Sequence, residues 1–311
     1  MAKIAVYAIC RDEAKHAARF MASMGEADGI FVLDTGSQDE SPRILRDLGA
    51  TVEEETILPW RFDTARNRAL AMVPPDFDIC ICCDLDEVFA PGWRQALEDA
   101  WTPGTTRMAY PFYYDARGSF FYRSLIHTRR GYIWHWPIHE ALLALGPEQV
   151  GRCDGLRLVH LPDPEKSRAA YLPMLEQAVQ AAPDDVRMLF YLGREYVCRG
   201  RYAAAVPILR RHIGLEQWDA QKAASLRMLS LCYERLGDHR AAEDALIAGI
   251  DACPHMREGY ILLGRRLLNR GDRIEARKCL SRALAITRPD PDYFNEGWAW
   301  DGTLERLLQE A

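Results

Sequence analysis

The sequence predicts an α/β domain on a doubly wound parallel sheet, followed by an all-α array of helical repeats. Three observations carry this. The first half alternates short apolar runs with stretches of helical spacing, an apolar run at 79–83 ends in a cluster of acids, and the second half repeats itself at intervals of 37 and then 34 residues. Alternating strands and helices imply parallel strands joined by crossovers, which covers both sheet faces and gathers ligands at the carboxyl ends of the strands.

Ile4 to Ile9 is the first apolar run, and Glu13 to Met24 has helical spacing that Gly25 ends. Gly29 to Leu33 is a second strand, closed by the polar turn Asp34 to Ser41. Pro42 suits the first turn of a helix reaching Leu48. Thr51 to Glu54 is a third strand and Asp63 to Met72 a helix. The fourth strand, Ile-Cys-Ile-Cys-Cys from Ile79, follows Pro74-Pro75-Asp76, and five successive apolar residues suit a strand buried on both faces. Three polar clusters then converge on one sheet edge: Arg11-Asp12-Glu13, Asp34 to Asp39, and Asp84 to Glu87. Further on, Ala109 to Tyr114 and Phe120 to His127 read as aromatic-rich strands, and Leu156 to His160 as a strand ending in histidine.

At 311 residues and 49% hydrophobic content the chain has material for two cores. The expected division is 1–165 and 166–311, with Pro162-Asp-Pro164 as the linker. A net charge of −6 leaves no electrostatic footprint for nucleic acid or an anionic membrane. Nine cysteines, mostly inside apolar runs, suggest reduced buried thiols. Strand alternation splits Cys80, Cys82 and Cys83 between two faces, which argues against a soft-metal cluster. The N-terminus enters a strand directly and no apolar run approaches membrane-spanning length, so a cytoplasmic location is expected.

The string Asp-x-Asp occurs at 76–78, 84–86 and 290–292, and only the middle copy caps a buried strand. Carboxylates that close repel unless a cation sits between them, and oxygen ligands suit Mg²⁺ or Mn²⁺. The glycine fingerprints of dinucleotide and P-loop sites are absent from the sequence. A diphosphate would therefore be neutralised by a divalent ion at Asp84 and Asp86, helped by Arg66 or Arg68 from the helix after Trp60.

Four segments taken together resemble the family 2 glycosyltransferases with a GT-A fold: Ile9-Cys-Arg-Asp-Glu13, Val32-Leu-Asp-Thr-Gly-Ser-Gln-Asp39, Phe62-Asp-Thr-Ala-Arg-Asn67 and Cys83-Asp-Leu-Asp-Glu87. The resemblance implies a nucleotide-sugar donor, a divalent metal and inversion at the anomeric carbon. Carried over by position, it implies that Asp34 contacts the nucleoside, Arg66 the nucleotide, Asp84 the ribose or metal, and Asp86 the metal and diphosphate. The family's usual Lys-Asn-Glu-Glu stands here as Arg11-Asp12-Glu13-Ala14, which leaves the role of Arg11 at the donor open. A His-Glu step looks like the family's catalytic-base motif, which implies Glu140 as base with Glu87 in reserve. His160 is similar in position to a late histidine that completes the metal shell. Extended geometry over Gly131 to Glu140 would put Trp134, Trp136 and Ile138 on one face and His135 and His139 on the other. Trp136 and His139 are expected at the nucleotide sugar, and the alternative to a base at Glu140 is a carboxylate at a helix start near Ala141-Leu-Leu, where the dipole would favour it.

In the second half Leu192-Gly193, Leu229-Ser230 and Leu263-Gly264 fall at equivalent positions, with glycine recurring at the turns. This looks like tetratricopeptide repeats, in which each helix pair covers its neighbour's apolar face, with Asp292 to Ala311 as a capping helix. Similarity to bacterial peptide glycosyltransferases of the same domain order implies a peptide, protein or glycan acceptor and a homodimer through the repeats. Two other classes are consistent with the residues: a repeat-based binding scaffold with a degenerate enzyme domain, and a nucleotidyl or phosphoryl transferase on the same fold.

Overall fold

The computed structural model describes residues 2–114, 120–162, 170–289, 293 and 295–311. Linker residues 163–164, the expected boundary at 165/166 and the Asp-x-Asp string at 290–292 lie outside the described residues. The chain divides into two compact units, Met1–Arg168 and Ala169–Ala311.

In the first unit, strands β1 (Ile4–Cys10), β2 (Gly29–Asp34), β3 (Thr51–Glu54) and β4 (Ile79–Cys82) alternate with helices α1 (Ala14–Met24), α2 (Ser41–Asp47) and α3 (Phe62–Met72). These four strands are parallel in the order β3-β2-β1-β4, with Cys10 opposite Asp34 and Tyr7 opposite Cys82. Then follow β5 (Glu87–Phe89), α4 (Trp93–Ala100), β6 (Arg107–Tyr113), β7 (Phe120–Thr128), β8 (Tyr132–His135), β9 (Ala141–Ala144), β10 (Val150–Arg152) and β11 (Leu158–His160). Beyond β4 the sheet continues β7-β6-β11-β5, with β10 beside β6, while β8 and β9 form a separate hairpin.

The doubly wound parallel expectation is corrected here. β7 runs antiparallel to both β4 and β6, and β11 antiparallel to β5, so the sheet is mixed. The connection between β6 and β7, residues 114–119, is shorter than the roughly dozen residues a parallel crossover needs. Only an antiparallel return is open to it.

Alternation along β1 and β4 divides the core. Ile4, Val6, Ile79 and Ile81 pack with Phe20, Met24 and Trp93 on one face, while Tyr7, Cys80 and Cys82 pack with Ala69, Leu70 and Trp134 on the other. Truncating one of the fully buried aliphatics, such as Ile81, would cost roughly 2–5 kcal/mol. The cysteines thus fall on two faces, as the strand pattern requires.

The second unit stacks antiparallel helix pairs: α6 (Val186–Cys198) with α7 (Tyr202–Leu215), α8 (Asp219–Arg235) with α9 (His239–Ala252), and α10 (Arg257–Asn269) with α11 (Arg273–Ala285), preceded by α5 (Tyr171–Ala181). The turns within the second and third pairs share one chemistry, while Gly200 in the first is followed by Arg201, which makes no side-chain cap. Gly237 and Gly271 take φ of 83° and 86°, which a side chain resists, and the aspartate that follows caps the next helix by accepting from Ala241 N–H or Glu275 N–H. The C-terminal capping helix is shorter than expected: a 3₁₀ turn at Gly297–Ala299 precedes α12, which spans Thr303–Glu310. The guanidinium of Arg257 lies 3.9 Å over the Trp300 ring, so this tryptophan seals the array instead of extending the helix.

Candidate functional site

The acids Asp84, Asp86 and Glu87 form a tight turn after β4, closed by Glu87 N–H donating to the carbonyl of Asp84 at 3.0 Å. Each carboxylate faces a different partner. Asp84 accepts from Arg66 Nη2 at 2.9 Å, and Asp86 Oδ2 lies 3.4 Å from His160 Nε2. Glu87 is buried, pairs with Arg123 of β7 and accepts the Asp84 N–H at 3.1 Å. Burial pushes the Glu87 carboxyl up while Arg123 opposes the shift. The antiparallel pairing of β11 with β5 sets His160 directly opposite Glu87, and that register brings a residue over 70 positions downstream to the turn. The hydrogen bond to Asp86 raises the His160 pKa against its partial burial.

Arg66 is the centre of the site. It is 6% exposed on α3 and donates through Nε to Glu140 Oε1 at 2.6 Å, through Nη2 to Asp84, and through Nη1 to Cys82 Sγ at 3.2 Å. Its guanidinium lies 5.0 Å over the Trp134 ring. The rigid fork suits this triple task in a way a lysine could not. Arg68 points elsewhere: it is exposed and pairs with Glu55 at 3.5 Å. Arg11 is likewise exposed, with Asp12 4.0 Å away, so the structure does not draw it into this network.

Glu140 precedes a strand, β9, so the alternative of a carboxylate at a helix start does not hold. The loop that delivers it is unusual, because Trp136 and His139 both have positive φ, 77° and 52°. Such values are uncommon for non-glycine residues and unfavourable for bulky ones. They break the expected alternation: Trp134 is buried, donating to the Tyr7 hydroxyl at 2.9 Å, whereas Trp136 is half-buried and set edge-on to His135. Two contacts hold the loop against α3. Asn67 pairs with both backbone groups of Trp134, at 2.8 and 2.9 Å, and Phe62 N–H donates to the Pro137 carbonyl at 2.9 Å.

The other two polar clusters organise neighbouring turns. Asp34, 1% exposed, accepts from Gly36 N–H and Ser37 N–H at 3.0 and 2.9 Å and from the Ser37 hydroxyl. Asp12, φ 55°, accepts from Gln38 N–H at 2.6 Å and ties the first turn to the second. Sequence reasoning missed Arg123, Tyr7 and His127. Tyr7 bonds His127 Nε2 at 2.9 Å as well as Trp134, forming a buried polar chain beneath the Arg66 site, and burial lowers the His127 pKa to about 4. Polar residues inside apolar strands were the only signal.

The structure therefore brings Arg66, Asp84 and Glu140 into one network and Asp86 and His160 into a second contact on the same turn. Among the described residues, no group of three or more His, Cys, Asp or Glu is arranged to hold a metal ion. The two donors at Asp86 and His160 fit a hard cation only if a ligand's oxygens complete its shell, as is usual for Mg²⁺ on a diphosphate.

Residues 9–160 match the model of glycosyl transferase family 2. A TPR repeat-containing protein of Synechococcus elongatus is 28% identical over 305 residues, covering 87% of this chain and 72% of the relative. The crystal structure of MamA covers 45% of this chain and 83% of that chain at 20% identity and a TM-score of 0.35. MamA from Desulfovibrio magneticus RS-1 covers 37% and 63% at 16% identity and a TM-score of 0.34. The match over residues 9–160 supports glycosyltransferase activity for a GT-A-like domain that is followed by a tetratricopeptide-type repeat array.

Proposed function

We propose that the first unit transfers a hexose, with inversion, from a nucleotide-diphosphate sugar to an acceptor hydroxyl, with a UDP-sugar as the first donor to test. The observation that carries this is Arg66, one guanidinium holding both the Asp84 turn and Glu140. In this reading the acceptor oxygen attacks the anomeric carbon as the bond to the diphosphate oxygen breaks. The acceptor proton passes to Glu140, whose Oε1 is fixed by Arg66, so that Oε2 would take the proton. Asp34 and Asp84 serve the nucleoside and ribose, with Trp136, His139 and Arg11 at the donor. Asp86 and His160 would hold Mn²⁺ or Mg²⁺ together with the donor's phosphate oxygens, and such an ion supplies charge neutralisation for the departing diphosphate. Glu87, buried between Arg123 and the Asp84 backbone, is better suited to holding the turn than to acting as base. The acceptor is a peptide, protein or glycan, and the repeats join two copies in the cytoplasm.

The test is a thermal-shift screen of nucleotide sugars with and without Mn²⁺ on the wild type and on Asp86→Ala. A ligand at a hundred times its dissociation constant stabilises by about 2.7 kcal/mol. One diphosphate sugar should shift the wild type only with metal and leave the variant unmoved, and Glu140→Gln should bind that donor but transfer nothing. Metal-independent shifts of equal size in all three proteins would refute the assignment.

A further inference from the structure

Beneath Arg66 the first unit buries a chain of polar side chains to which the transfer reaction gives no task. The hydrogens of this chain are placed by elimination. The Thr128 carbonyl only accepts, so His127 Nδ1, 2.8 Å away, carries a proton. Burial keeps the ring neutral, which leaves Nε2 as an acceptor for the Tyr7 hydroxyl at 2.9 Å. The Tyr7 oxygen in turn accepts from Trp134 Nε1–H, also at 2.9 Å, since an indole only donates. Tyr7 and His127 are fully buried and Trp134 is 3% exposed, so water is a poor competitor for these bonds.

Trp134 is what the chain holds. Asn67 bonds both of its backbone groups and fixes where the residue sits, while the Tyr7 oxygen fixes how the indole turns about its side-chain bonds. The ring so oriented lies 5.0 Å from the guanidinium carbon of Arg66, and Cys82, directly opposite Tyr7 in the β1–β4 register, accepts from Arg66 Nη1. One buried hydroxyl therefore steadies the surface on which Arg66 lies. The two acids that Arg66 serves do not depend on it equally. The Asp84 turn has its own brace through Glu87 and Arg123, and the Asp84 side chain is 39% exposed. The Glu140 carboxylate, 12% exposed, has Arg66 as its hydrogen-bond partner among the described residues.

We propose that Tyr7 is a positioning residue for the transfer: through Trp134 it aims Arg66, and through Arg66 it sets the Glu140 carboxylate that takes the acceptor proton. The inference rests on the reading of Glu140 as base. Tyr7 itself touches neither donor nor acceptor in this scheme. Tyr7→Phe keeps the ring and its packing and removes only the anchor, leaving a buried indole N–H with no acceptor and a ring free to turn.

The experiment reads Arg66 directly, by heteronuclear NMR on the full chain without donor, metal or acceptor. The Nε–H signal of Arg66, assigned by its loss in Arg66→Lys, should be protected from solvent exchange in the wild type by the bond to Glu140. Tyr7→Phe should speed that exchange roughly tenfold or more, whereas Phe31→Leu, which loosens the same core away from the chain, should not. With UDP-glucose and Mn²⁺ as probes, release of UDP to water should lose roughly ten- to a hundredfold in kcat at an unchanged KM, the cost of misplacing a reacting group by up to about 1 Å. Trp134→Phe keeps an aromatic face for Arg66 but gives up the anchor, so it should match Tyr7→Phe, and the double variant should lose no more than either. If Tyr7→Phe fails to fold by circular dichroism, Trp134→Phe against Phe31→Leu decides. An Arg66 signal unmoved by Tyr7→Phe, an equal change in Phe31→Leu, or losses that multiply in the double variant would overturn the inference. Full UDP release by Glu140→Gln, with the Arg66 signal moved as expected, would instead refute the reading of Glu140 on which the inference rests.

Discussion

Replacing Arg66 by leucine removes one side chain and takes a guanidinium partner from two acids. Glu140 is the more serious loss. Its side chain is 12% exposed and its bond to Arg66 is 2.6 Å, so in the variant a nearly buried carboxylate keeps neither its donor nor full hydration. Breaking a buried pair from one side costs about 3–5 kcal/mol. Asp84, at 39% side-chain exposure, recovers much of its solvation from water, and leucine restores apolar contact with Trp134, so the low end applies: about 3 kcal/mol. The double variant Arg66→Leu/Glu140→Gln no longer buries an unpaired charge and should regain about 1–2 kcal/mol of that loss. Because two compact units share the chain, a single unfolding midpoint would mix them. Hydrogen exchange read by mass spectrometry on peptides covering α3 and β8–β9 isolates the first unit. Strict additivity of the two substitutions, or a loss below about 1 kcal/mol, would show that the guanidinium does not hold Glu140 in solution.

His127 gives a pH signature. Its ordinary pKa of 6.5 is lowered by burial to about 4, so neutrality is the folded state's requirement. The stability this contributes is complete above pH 6.5 and is withdrawn as pH falls towards 4, by roughly 3 kcal/mol in all. His127→Gln should flatten that slope in pH-dependent exchange of β1 and β7, and an unchanged slope would place the titration elsewhere. In the repeats, a Cβ on Gly264 would stand 2.5 Å from Leu280 Cδ2 and 2.6 Å from its Cγ, and Leu280 is fully buried. Gly264→Ala should therefore lose about 1 kcal/mol after its helix-propensity gain is counted. Gly214→Ala in α7 meets nothing within 4 Å and should gain up to about 1 kcal/mol, so opposite signs in thermal melts of the two variants are required.

How much of this was legible follows from the range of each interaction. The strand–helix alternation, the acid turn after β4 and the repeat period are local signals, and the chain carries them within windows of ten to forty residues. Arg66 could be placed near Asp84 because both lie at the same edge of consecutive βα units. The hydrogen bond from Arg66 to Glu140 spans 74 positions and depends on a loop whose two positive-φ residues, Trp136 and His139, have no sequence signature, since neither is glycine or asparagine. The same is true of Arg123. It lies in an aromatic strand and gains its role only when the antiparallel return of β7 brings it to Glu87, a direction set by the length of a connection and not by its composition. Sequence patterns thus located the acids of the site and Arg66, while Arg123 and the loop that brings Glu140 to Arg66 came from long-range register. Substitutions at Arg66, Arg123 and Asn67 should accordingly disturb the site more than the bare motif suggests, because they hold the turn and the Glu140 loop in one geometry.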